Sequence, residues 1–264
     1  MRPAPGTTAQ RAILLDKDGV LVDFHRTWKP AIKRAAQAVA ALLHVRQEQR
    51  HALALRLLEQ VGYHADTDSF LPGSIWAAGT QEELFDTWAG CLPQLRRQDI
   101  ADTVSAILRA TEPQPVIPTG ELQALLRQAR NAGCRLAIVT NDLTDSARAT
   151  ARLHGIDGLV DAIIGADLCA RPKPHPDLVE LATRKLRLPA QDMLMVGDNV
   201  HDAEMARNGG CGAFIGVLSG TSGHADLAPM ARAVLPDVGD ALRWALRHWL
   251  PHSGTSATPA GSTG

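Results

Sequence analysis

The chain has 264 residues, 45% hydrophobic and 21% charged, a balance that excludes disordered and collagen-like chains and leaves enough apolar side chain for a sizeable core. Lys plus Arg number 27 against 28 Asp plus Glu, a net charge of −1, so no global field draws the protein to nucleic acid or to an anionic membrane. The cysteines, Cys91, Cys134, Cys169 and Cys211, form no CxxC pair, which excludes a disulfide framework and zinc-ligand spacing; they read as buried small hydrophobes.

Charges interrupt every apolar run before the roughly 20 residues that a membrane span needs. The opening segment, MRPAPGTTAQ, lacks the apolar stretch of a signal peptide. A soluble cytoplasmic protein, monomer or homodimer, with neither a nucleic-acid nor a membrane partner, is the expectation.

In chain order, the first apolar run, 12–15, has strand length. Residues 24–115 carry helical periodicity at 30–60, 81–89 and 94–110 and no strand pattern, which predicts an all-helical insert. Trp28-Lys29-Pro30 marks one of its edges, and Pro113, Pro115 and Pro118 mark the other. Beyond it, strand-length runs at 136–139, 162–164, 193–196 and 213–217 alternate with helical patterns at 121–132, 145–154, 177–186 and 202–208. Strand then helix, repeated, predicts an α/β fold, a Rossmann-like parallel sheet with helices on both faces. The first strand belongs with the distant second half, so the predicted core is 11–23 with 116–250, the helical domain is 24–115, and 1–10 and 251–264 are flexible tails.

Strand 12–15 runs straight into Asp16-Lys17-Asp18-Gly19. Residues i and i+2 of an extended chain face the same way, so two carboxylates stand side by side and repel unless a cation or a shared proton relieves them. They also stand at the strand end where open α/β sheets bind ligands. Strand 193–196 ends in Gly197-Asp198-Asn199 and reaches Asp202 as a helix begins. If the two strands are neighbours, four carboxylates converge, an all-oxygen donor set suited to Mg²⁺.

Two further strand ends have the opposite character. Strand 136–139 leads into Thr140-Asn141, a hydroxyl and amides at a turn. After the next strand, Arg171-Pro172-Lys173-Pro174 holds one of only five lysines in a proline-stiffened loop. Hydroxyl, amide and ammonium are phosphate ligands. A nucleophile, a neighbouring acid, a metal seat and an anion cradle are the parts of phosphoryl transfer through an aspartyl-phosphate.

Other readings stand beside these. Thr140 and Asp202 are also candidates for helix caps, Lys173 for a surface lysine, and His25, Arg26 and Trp28 for hinge packing rather than contacts to a substrate. A calcium loop at Asp16 and Asp18 is disfavoured, because Val20-Leu21-Val22 follows where further oxygen ligands would be needed.

Four motifs, Asp16-Lys-Asp18-Gly-Val, Thr140-Asn141, Lys173-Pro174 and Gly197-Asp198-Asn199 through Asp202, occur in one order at predicted strand ends. In this the sequence resembles the haloacid dehalogenase superfamily, in the subgroup that includes phosphoglycolate phosphatase and β-phosphoglucomutase. The resemblance implies Asp16 as nucleophile and Asp18 as general acid and base. It implies Mg²⁺ held by Asp16, the Asp18 backbone carbonyl and Asp198, with Asp202 in support. Thr140, the Asn141 backbone and Lys173 would hold the phosphoryl group of a small phosphorylated metabolite, phosphoglycolate being the first candidate. Residues 24–115 would be the cap that chooses the substrate, with the segment 73–79 around Trp76 as a specificity loop. Val20 stands where the family usually has threonine, and Asn199 where Ser or Thr is common. A phosphosugar mutase and, from another class, a non-catalytic phospho-ligand sensor or interaction protein are the alternatives.

Overall fold

A computed structural model describes residues 10–250; the tails expected at 1–10 and 251–264 lie outside the described residues, apart from Gln10. The chain opens with β1 (Ala12–Leu15) and continues through α1 (Phe24–Ala41), α2 (Gln47–Gln60), β2 (Tyr63–His64), β3 (Ser69–Phe70), α3 (Ile75–Ala78), α4 (Gln81–Cys91) and α5 (Arg97–Arg109). It then alternates through α6 (Thr119–Asn131), β4 (Arg135–Val139), α7 (Thr144–Leu153), β5 (Ala162–Ile164), α8 (Asp177–Leu186), β6 (Met193–Gly197), α9 (Val200–Asn208), β7 (Ala213–Val217), α10 (His224–Leu227), β8 (Ala233–Leu235) and α11 (Val238–His248).

The six longer strands form one parallel sheet in the order β5-β4-β1-β6-β7-β8. β1 is buried on both faces because all four of its residues are apolar. Ile13 and Leu15 enter one core cluster with Leu122, Leu125, Leu126 and Ala129 of α6 and with Ala241, Leu242 and Ala245 of α11. Ala12 and Leu14 enter the other, against Leu178, Val179 and Ala182 of α8 and Ala203 and Ala206 of α9. The spacing 122, 125, 126, 129 is the stripe that a helix needs to cover a sheet. Helices on both faces of a parallel sheet are the three-layer α/β architecture expected from the alternation.

The strand order reverses at β1, with β4 on one side and β6 on the other. That is the switch point at whose carboxyl edge open sheets place their ligands.

A third apolar cluster draws only on residues 22–104, among them Trp28, Ile32, Leu57, Leu84, Trp88 and Ile100. Trp88 is wholly buried and donates its indole N–H to the Leu57 carbonyl at 2.8 Å. The helical pattern read over 30–60 is two helices, broken at 42–46, and a two-residue antiparallel pair, β2 with β3, sits among them where no strand was expected. Two passages of chain link this region to the sheet. Asp23 N–H donates to Gln114 O at 2.8 Å and Val116 N–H to Leu21 O at 3.2 Å, so the segments around 22 and 115 run side by side.

Two more points differ from the reading of the sequence. β8, beyond the last strand read there, completes the sheet. Cys134 is buried and Cys169 and Cys211 are half-buried, but Cys91, at the end of α4, is exposed.

Candidate active site

β1 and β6 are hydrogen-bonded neighbours with Leu15 opposite Val196, so the residues that follow them emerge side by side. Asp16 N–H still donates to Val196 O at 3.0 Å, which holds Asp16 at the sheet edge. Asp198 follows β6, and Asp202 stands in the first turn of α9. One carboxylate oxygen from each of Asp16, Asp198 and Asp202 lies within 4.8 Å of the others, and all three residues are buried. Asp18 is partly exposed, and its side chain does not join that group.

Lys173 reaches the cluster from the loop after β5. Its Nζ lies 2.7 Å from Asp16 Oδ1 and 2.7 Å from Asp202 Oδ1, and the residue is only 6% exposed, which removes the surface-lysine reading. The Asp16 contact is a directed hydrogen bond, whereas Asp202 Oδ1 receives none despite the short distance. Asp202 Oδ2 accepts from Asn199 N–H at 3.1 Å. The same carboxylate therefore caps α9 and faces the cluster.

Asp198 is fixed by the loop after β7. Thr221 donates to its Oδ2 from the backbone at 2.9 Å and from Oγ1 at 3.3 Å, and Asn199 Nδ2 donates to Thr221 Oγ1 at 3.0 Å. Gly19 and Gly220 close over the same carboxylate, and a Cβ at either would overlap it. Gly19 also has φ +81°, a left-handed conformation that favours glycine. Val20, the departure after that glycine, is wholly buried.

The phosphate-ligand candidates gather at the same edge. Thr140 is buried, and its Oγ1 accepts Asp142 N–H at 3.1 Å; α7 starts four residues later, so Thr140 does not cap it. The Asn141 side chain is a clasp. Its Nδ2 donates to Ala78 O at 2.9 Å and to Lys173 O at 3.2 Å, while its Oδ1 accepts Lys173 N–H at 2.9 Å.

Lys17 and Trp28 hold Asp18, and of these Lys17, with Asp142 and Gln81 behind it, was given no role in the sequence reading. Lys17 is fully buried, with Nζ 2.7 Å from Asp18 and 2.9 Å from Asp142, and it lies 5.0 Å from the centre of the Trp28 ring. Trp28 Nε1 donates to Asp18 Oδ1, and Gln81 Nε2 donates to Asp142 Oδ1 at 2.9 Å. Trp28 and Gln81 come from the helical region and Lys17 and Asp142 from the sheet edge, so the network spans both. The scarcity of lysine, which drew attention to Lys173, was equally a signal at Lys17. His25 Nε2 contacts Gly220 O at 3.1 Å, and Arg26 is exposed.

Burial dominates the electrostatics. It pushes the Asp16 carboxyl up to about 6 against the opposing pull of Lys173, with Asp202 adding to the rise. Burial, then Asp202 and Asp16, hold Asp198 well above the usual carboxylate range. Asp18 is raised by burial, which Lys17 only partly offsets. For Lys173 burial would lower the ammonium, but Asp16 and Asp202 outweigh it and the group stays firmly charged.

The donor set is all carboxylate oxygen, Asp202 Oδ1 lacks a hydrogen bond, and one ammonium does not balance three buried carboxylates. Those features fit a small hard dication such as Mg²⁺. Above the cluster lies a cavity of about 680 Å³ whose lining includes Asp16, Asp18, Thr140, Asn141, Lys173 and Asp202, and also His201.

Against known proteins, the profile of haloacid dehalogenase-like hydrolases matches residues 10–210. The chain belongs to that family. Relatives include the pyrophosphatase PpaX of Bacillus velezensis, 36% identical over 85 residues, which are 32% of this chain and 39% of that protein. Phosphoglycolate phosphatase of Vibrio cholerae is 34% identical over 93 residues, 35% of this chain and 41% of that one. The chain thus spans about two fifths of the length of these curated relatives. A crystal structure from Haemophilus somnus, described as a predicted phosphoglycolate phosphatase, superposes with a TM-score of 0.63 at 21% identity, covering 90% of this chain and 99% of that one. At that identity the likeness shows the haloacid dehalogenase-like fold alone.

Proposed function

We propose that the protein is a Mg²⁺-dependent phosphomonoesterase that hydrolyses a small phosphorylated metabolite in the cytoplasm, with Asp16 as nucleophile. The observation that carries this reading is the meeting of Asp16, Asp198 and Asp202 around Lys173 at the floor of a cavity that Asp18 also lines. In the first step an Asp16 carboxylate oxygen attacks phosphorus, the ester P–O bond breaks, and the protonated Asp18 carboxyl gives its proton to the leaving alkoxide. In the second, the Asp18 carboxylate takes a proton from water, whose oxygen attacks the same phosphorus, and the aspartyl P–O bond breaks to free phosphate and Asp16. Burial that raises the Asp18 carboxyl favours the protonated form which the first step needs.

Lys173 Nζ, Thr140 Oγ1 and the Asn141 backbone N–H would hold the phosphoryl oxygens, a role that charge-assisted bonds suit. Asp16, Asp198, Asp202 and the Asp18 backbone carbonyl would hold the metal. When bound, Mg²⁺ supplies neutralisation of charge on the transferring phosphoryl group. Residues 24–115 serve as a cap over the core of 11–23 and 116–250, and its closure excludes water. The relatives' names place phosphoglycolate and pyrophosphate among the first substrates to test.

The test is phosphate release from a panel of small phosphomonoesters with Mg²⁺ and with EDTA. Release that EDTA abolishes by 10²-fold or more is the expected result; EDTA-resistant release, or none from any ester, overturns the reading.

Metal binding also has a pH signature. Without metal, Asp16 is raised from an ordinary 3.8 to about 6, so its contribution to stability is present at low pH and is lost as pH rises through 6. A dication removes that loss. One Mg²⁺ concentration, set at 100 times the Kd at pH 8, is expected to raise Tm by roughly 5–10 °C at pH 8 and by much less at pH 5, where protons compete for the carboxylates. Equal shifts at the two pH values in a thermal melt would contradict the carboxylate site.

A further inference from the structure

The cavity over Asp16 and Lys173 is larger and more apolar than a two-carbon phosphate ester would fill. Its volume of about 680 Å³ lies in the range that encloses drug-sized ligands. Away from the carboxylates its wall is made by Trp28, Ile75, Trp76 and Leu84 of the helical region and by Leu143 and Leu153 of the sheet side. Leu143 is 45% and Leu153 50% exposed, so two of the few large apolar side chains left open to solvent among the described residues meet in this one groove. Apolar surface gathered in that way marks a binding surface.

A second observation marks Trp76 as a ligand contact. Trp76 packs in an aromatic cluster, its ring 6.4 Å from Phe24 and 6.3 Å from Phe70, yet its indole Nε1 is buried with no acceptor. Buried donors without partners are rare in folded proteins, and here the ring lines the cavity. Charge argues against a second acidic group on the ligand. Among the described residues that line the cavity, the lysine and arginine side chains are those of Lys173, already shared by Asp16 and Asp202, and of exposed Arg109.

We propose that the substrate is a primary phosphomonoester whose alcohol carries an uncharged, apolar body about the size of a ring, seated against Trp76, Leu143 and Leu153. This rests on the phosphomonoesterase reading and names the substrate class for it. Continuity of the apolar wall with the carboxylate floor fixes the orientation: the phosphoryl group goes to Lys173 and Thr140, and the body lies along the groove.

The experiment compares ethyl phosphate, phosphoglycolate and 2-phenylethyl phosphate, all primary alkyl esters, so that leaving-group basicity does not set the ranking. The expected kcat/KM for 2-phenylethyl phosphate exceeds that for ethyl phosphate by about 10- to 100-fold, the worth of burying a ring. In the double variant Leu143→Ser, Leu153→Ser the ratio of the two, measured within the variant, should fall at least fivefold; both positions are exposed, so folding is little affected. Esters within about twofold of one another, or phosphoglycolate preferred, overturn the proposal. Dissociation constants from calorimetric titration of the Asp16→Asn protein keep the two readings apart. If no ester is hydrolysed, the phosphomonoesterase reading fails; tenfold tighter binding of 2-phenylethyl over ethyl phosphate still supports the apolar site, and equal binding overturns it.

Discussion

Replacing Asp16 with Asn is expected to lower phosphate release by roughly 10⁴-fold or more while leaving the fold intact. The amide is isosteric, sits at the same strand end and can still accept from Lys173 through its oxygen, but it is a poor nucleophile toward phosphorus. Stability should not suffer. Burial makes the Asp16 carboxylate costly enough to raise it to about 6, so a neutral side chain removes a desolvation penalty along with one ion pair, and Lys173 keeps Asp202. Steady-state release and a thermal melt on the same sample check both halves. A variant that turns over at the parental rate would remove Asp16 from the chemistry.

Asp18→Asn is expected to cost on the order of 10² to 10⁴ in rate on alkyl phosphates, the usual worth of a positioned acid and base. The amide oxygen can accept from Lys17 Nζ and Trp28 Nε1 as the carboxylate does, so the side chain stays in place and the loss reports the missing proton. Leaving-group dependence separates this from misplacement. An aryl oxide such as 4-nitrophenolate leaves without protonation, so the loss on 4-nitrophenyl phosphate should be at least tenfold smaller than on ethyl phosphate. Equal losses on the two esters would give Asp18 a positioning role and place the acid elsewhere.

Much of the site was legible because its parts are short and local. Asp16 with Asp18, Thr140 with Asn141, Lys173 before Pro174, and Asp198 with Asp202 each sit within a few residues of an apolar strand, and strand ends are readable from apolar runs. Lys17 escaped notice for a physical reason. An extended chain turns it away from Asp16 and Asp18, yet a tight turn at Gly19, where Leu21 and Val22 N–H both donate to Lys17 O, lets its long side chain fold back under Asp18 toward Asp142. Nothing local singles out Thr221, because its carboxylate partner lies 23 positions earlier and no periodicity links them. β8 was missed for a related reason: at three half-buried residues it is too short for a pattern, and its pairing with β7 defines it.

The sequence by itself determined the alternation of strand and helix beyond residue 116, the parallel character of the sheet and the residue types that stand at its strand ends, since each follows from residue type and near-neighbour spacing. Tertiary structure alone decided that β1 lies between β4 and β6, that Lys173 faces two carboxylates while Lys17 serves two others, and that Trp28, Trp76, Leu143 and Leu153 share one cavity. Those are contacts between residues tens to hundreds of positions apart. They are set by which apolar faces cover which sheet surface and by which buried charges must find partners, and a local pattern records neither.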